Sequence, residues 1–114
     1  MDAIDTQELI EFLTKGSKSD AVEKLFKEVE RKKSKLFVSN YTILELAYLL
    51  EHAYGVEKQL VIKSLRTILE DPIFKVEARK ELEEALRLYA QGLSFLDALK
   101  EVQYGKNRAR RVRL

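Results

Sequence analysis

The chain has 114 residues, 46% of them hydrophobic and 35% charged, so it is long enough for one domain with a buried core. It has no cysteine, which excludes disulfides, thiolate metal sites and a cysteine nucleophile and suits a reducing cytoplasm. Its net charge of +2 is uneven: Lys106, Arg108, Arg110, Arg111 and Arg113 all lie in the last nine residues, leaving the first 105 with 16 basic and 19 acidic side chains.

In chain order, Ala3-Ile4 is a brief apolar strand. Thr6 to Lys15 reads as a helix with Leu9, Ile10 and Leu13 on one side, and Gly16 to Ser19 as a turn whose serine caps the next helix. Asp20 to Lys33 is amphipathic, with Val22, Leu25, Phe26 and Val29 at helical spacing. Lys35 to Ser39 is short, apolar and bounded by polar residues, as a strand should be. Thr42 to Tyr54 is a helix capped by Ser39 or Asn40 and closed at Gly55. Val56 to Glu70 is another, with Val61, Leu65, Ile68 and Leu69 inward, stopped by Asp71-Pro72. Ile73 to Val76 is a strand, Arg79 to Ala90 a helix, and Ser94 opens the last helix. Short strands alternating with helices predict an α/β domain with a parallel sheet, dominated by helix.

No signal peptide and no membrane-spanning run is expected. The basic end suits contact with phosphate, though a solubilising terminus would look the same. His52, the only histidine, reads as a surface or helix-end residue.

Three acids stand in mostly apolar stretches: Asp5, Glu45 and Asp97. A carboxylate beside a core costs free energy unless compensated. Acids so placed on separate elements suggest a shared site for a hard divalent cation, which takes carboxylate oxygens. Each has a plain alternative. Asp5-Thr6-Gln7-Glu8 can be a capping box. Asp97 can be a first-turn acid behind a Ser94 cap. Glu45 can be a half-exposed surface residue.

The order of the pieces resembles the PIN domain family. Asp5-Thr6-Gln7-Glu8-Leu9-Ile10 is similar to its opening strand-to-helix junction. Leu36-Phe37-Val38-Ser39 followed by Leu44-Glu45-Leu46-Ala47 resembles its second strand and Glu-bearing helix. Leu93-Ser94-Phe95-Leu96-Asp97-Ala98 resembles the segment with its third acid. The likeness is greatest to small VapC-type toxins of toxin–antitoxin pairs. It implies a helix-rich three-layer α/β domain with a small central parallel sheet, spanning residues 1–105, followed by a basic tail at 106–114. It also implies a Mg²⁺- or Mn²⁺-dependent endoribonuclease with Asp5, Glu45 and Asp97 as catalytic and metal-holding acids. The cation would activate a water and offset charge on the phosphate. Thr6, Ser39 and Asn40 would orient those groups.

Two departures from the family pattern stand out. Gln7 occupies a position where the family usually has Asn. The family also continues into a strand ending in Thr-x-Asp, so the chain reads as C-terminally shortened. Val112 and Leu114, alternating with Arg111 and Arg113, look like the start of that strand. Glu101, one helical turn after Asp97, would be the substitute ligand for that missing acid. An uncovered sheet edge would favour a homodimer. Expected partners are RNA, bound through Lys106, Arg108, Arg110, Arg111 and Arg113, and an antitoxin protein. The alternatives are a catalytically degenerate PIN-like module that binds RNA or protein, and a helical interaction domain whose acids are only caps and surface residues.

Overall fold

The computed structural model describes residues 1–114. Three strands, β1 (Asp2–Ala3), β2 (Leu36–Val38) and β3 (Phe74–Val76), form one parallel sheet in the order β1-β2-β3. Asp2 pairs with Leu36, and Leu36 in turn with Phe74. Six helices surround it: α1 (Thr6–Thr14), α2 (Ser19–Arg31), α3 (Asn40–Tyr48), α4 (Lys58–Glu70), α5 (Arg79–Ala90) and α6 (Phe95–Lys106). The chain is therefore a helix-rich α/β domain. No helix is long and apolar enough to cross a membrane.

The apolar periodicities become one core. Leu9 and Ile10 of α1, Val22, Phe26 and Val29 of α2, and Val61, Leu65, Ile68 and Leu69 of α4 are all buried. Leu82, Ala85, Leu86 and Tyr89 of α5 join them. Phe26 is the aromatic hinge of this core, edge-on to Phe12 at 4.9 Å and to Phe74 at 5.5 Å between ring centroids. Leu25 and Leu13, expected inward, are only half-buried against it.

Local chemistry sets most boundaries. Asp71 ends α4, and its carboxylate accepts from the Ile73 N–H at 3.0 Å. Ser94 caps α6 by accepting from the Asp97 N–H at 3.1 Å. Three expectations shift. Ser19 is the first residue of α2 rather than its cap, and Lys18 at the cap position offers no side-chain acceptor. Ser39, not Asn40, caps α3, accepting from the Tyr41 N–H at 3.1 Å, so the helix begins two residues before Thr42. Beyond Tyr48 the helix widens into a π turn over Leu49–Ala53 before Gly55, at φ +61, turns the chain.

The tail forms no strand. After α6 the backbone turns at Arg108 (φ 54), and residues 109–114 have no regular structure, with Val112 and Leu114 exposed. Alternation alone does not make a strand; nothing pairs with these residues, so their backbone has no ladder to join. The outer side of β1 is likewise unpaired.

Candidate active site

The carboxyl ends of the three parallel strands open onto the same edge of the sheet, where α/β proteins place ligands. Asp5 follows β1 as the N-cap of α1. The capping box is present: Asp5 Oδ1 accepts from the Thr6 N–H at 2.7 Å, and the Asp5 N–H donates to Glu8 Oε1 at 3.1 Å. Capping leaves capacity, because a carboxylate carries about four acceptor sites.

Only two polar residues of the chain are buried, Thr6 and Thr42, and both converge on these acids. The Thr6 hydroxyl donates to Glu45 Oε1, a residue 39 positions away, and lies 3.3 Å from Asp5 Oδ1. The Thr42 hydroxyl reaches the same Asp5 oxygen at 3.5 Å, the outer limit of a hydrogen bond. Asp5 and Glu45 are thus tied through one threonine. A buried hydroxyl must find a partner or cost free energy, and here the partners are the two candidate acids.

The acids themselves are solvent-exposed, Asp97 included. The burial cost that singled them out in the sequence therefore falls on Thr6 and Thr42 instead. Asp97 sits in the first turn of α6; its backbone N–H meets the Ser94 cap, and no hydrogen bond joins its carboxylate to Asp5 or Glu45. No group of three acidic, histidine or cysteine side chains stands close enough to hold a metal ion. The Asp5–Glu45 pair, with its hydroxyl neighbours, is an all-oxygen donor set of the kind Mg²⁺ or Mn²⁺ takes, since such ions bind through one or two carboxylates and keep several waters.

The other expected residues divide. Ser39 and Asn40 serve the start of α3: Ser39 caps it, and the Asn40 N–H donates to Glu77 Oε1 at 3.1 Å. Glu101 lines a separate hollow with Tyr104, Arg110, Arg111 and Arg113. Lys106 is ion-paired with Glu81 at 2.6 Å, and that contact holds the Glu81 carboxyl below the usual range. Arg108, Arg110, Arg111 and Arg113 are exposed without an ion pair.

Sequence reasoning missed Thr42, Glu77 and Glu51. Glu77 carried a signal in its placement, just beyond the end of β3 as Asp5 lies beyond β1, whereas Thr42 lies in the first turn of α3. Glu51 is set by the π turn. Its Oε2 accepts from the Tyr89 hydroxyl at 3.2 Å. Burial, then the Glu51 charge, pushes the Tyr89 pKa up to about 12.

A groove of about 510 Å³ adjoins the pair. Tyr41, Leu44, Glu45, Tyr48, Glu51 and His52 line it from α3 and the π turn, and Ser94 to Leu96 from α6.

The PIN domain family model matches residues 3–103, so the chain belongs to the PIN domain family. Among curated proteins it is 40% identical over 109 residues to a VapC ribonuclease of Aquifex aeolicus (strain VF5), covering 93% of this chain and 80% of that protein. No solved structure matches it.

Proposed function

We propose that the protein is a VapC-type endoribonuclease that cleaves RNA phosphodiester bonds with Mg²⁺ or Mn²⁺, and that Asp5, Glu45 and Asp97 are its acids. The observation that carries this reading is the convergence of the only two buried polar residues on Asp5 and Glu45. A merely structural cap at Asp5 has no need of a hydroxyl shared with a glutamate 39 residues away. The likeness to a VapC ribonuclease supplies the reaction class.

In this reading Asp5 and Glu45 hold the cation, and Asp97 completes the acid set from the start of α6. The cation, when bound, polarises the phosphate and lowers the pKa of a water. Thr6 donates its proton to Glu45 and so fixes which carboxylate oxygen faces the substrate. Thr42 steadies Asp5, whereas Glu101 lies in the separate hollow beside the tail. Ser39 and Asn40 act one step further out, by fixing the start of the helix that carries Glu45. Arg108, Arg110, Arg111 and Arg113 attract the RNA backbone, whereas Lys106 is engaged with Glu81.

The same reading gives the protein an antitoxin partner that covers the acids and a place in the cytoplasm. It also makes the chain a homodimer, with the tail or the unpaired side of β1 supplying the contact. A monodisperse monomer in solution scattering would count against the dimer.

The test is cleavage of a mixed structured RNA with Mg²⁺ or Mn²⁺, beside EDTA and Asp97→Asn controls. Cleavage lost in both controls is expected. No cleavage from folded protein would favour a degenerate module that binds RNA without cutting it.

A further inference from the structure

We propose that the groove between α3 and the start of α6 receives an unpaired RNA base next to the cleavage site. This rests on the nuclease reading of Asp5 and Glu45, because Glu45 belongs to both places: it lines the groove and accepts from Thr6.

The walls are aromatic and open to solvent. Tyr41 is 75% exposed and Tyr48 62% exposed. The Tyr48 and His52 rings lie 4.7 Å apart at 44°, one packed against the other on the same wall. Leu96 closes the opposite side and is also exposed. Such flat, partly polar surfaces stack with unpaired bases whatever their identity.

Charge selects the part of the nucleotide that enters. The lining holds the carboxylates of Glu45 and Glu51 and no lysine or arginine. A phosphate would be repelled there, whereas a neutral base would not. A base also carries N–H groups, which a carboxylate accepts. Glu51 is prepared for that role. The buried Tyr89 hydroxyl donates to its Oε2 at 3.2 Å, so the carboxylate is held in place with its other oxygen unengaged. The π turn at Leu49–Ala53 brings Glu51 and His52 to the same wall, and such turns recur at functional sites. A groove of about 510 Å³ is within the range of small-ligand sites and large enough for a base.

The test is binding of fluorescein-labelled single-stranded RNA to the full chain, followed by anisotropy in EDTA so that no cutting occurs. Tyr48→Ala and Tyr41→Ala should each weaken binding roughly 5- to 150-fold, the span of one base–aromatic stack. Tyr48→Phe keeps the ring and should stay within about twofold of wild type. A blunt duplex of the same sequence should bind equally to all four proteins. Unchanged single-strand affinity in both alanine variants would overturn the proposal. So would a change of sedimenting mass in Tyr48→Ala with RNA affinity intact, which would make the surface a protein contact. The cleavage assay reports separately on the acids: an inactive protein that still loses affinity in Tyr48→Ala refutes the nuclease and keeps the base site.

Discussion

The Asp5–Glu45 corner and the α6–tail region both carry charged residues, yet they are built differently. At the corner, two buried threonines reach across the sheet edge and bind both acids to one point. Around Asp97 and residues 107–114, the charged groups project into solvent without ion pairs or long-range hydrogen bonds. The first arrangement fixes geometry and suits chemistry. The second supplies charge without geometry, which is enough to attract a polyanion but not to orient one.

The contrast is broken most severely by substitutions at the corner. Asp5→Asn should reduce RNA cleavage to background while leaving the melting temperature nearly unchanged, because Asn caps a helix about as well as Asp. If cleavage persisted, Asp5 would be a cap and nothing more. Thr6→Val should lower cleavage roughly 10- to 100-fold, as removal of a ligand-orienting group does, and Thr6→Ser should restore most of it.

A third test concerns the groove wall. Tyr89 is buried, with Lys58 4.4 Å over its ring and Glu51 accepting from its hydroxyl. Its pKa is pushed up to about 12 from the ordinary tyrosine value of 10.0, so between these values the unfolded chain loses the proton before the folded one does. The folded state then binds more protons, and stability falls as pH rises through that window, by an amount on the order of 2 kcal/mol. Unfolding midpoints measured from about pH 9 to 12 should show this decline in wild type and lack it in Tyr89→Phe.

The smallest effect belongs to the tail. Replacing Arg110, Arg111 and Arg113 by alanine should weaken RNA binding without regard to sequence. It should also flatten the salt dependence by about 0.7 in log–log slope for each phosphate no longer neutralised. A sequence-dependent weakening would mean that the tail orients the RNA after all.

Much of the scaffold was legible because local rules and tertiary packing agree. Arg79–Ala90 has the expected bounds, with Leu82, Ala85, Leu86 and Tyr89 inward, and the Ser94 cap lies where its sequence places it. What was not legible depends on distant contacts. The π turn is accompanied by the Tyr89–Glu51 hydrogen bond and a bond from the Val56 N–H to the Leu50 carbonyl, neither of which helical periodicity encodes. The orienting role expected of Thr6 comes from the family resemblance alone, because no local pattern encodes its bond to Glu45, 39 positions away. The strand expected at Val112 and Leu114 had the right alternation and no partner to pair with.

The most direct test of the central claim is Mn²⁺ binding to the full chain by electron paramagnetic resonance, comparing wild type with Asp5→Asn and Glu45→Gln. If these two acids hold the cation, each substitution should weaken binding about tenfold or more, with the fold intact by circular dichroism. Equal Mn²⁺ affinity in all three proteins would contradict the account and leave the Asp5–Thr6–Glu45 arrangement as a structural clasp.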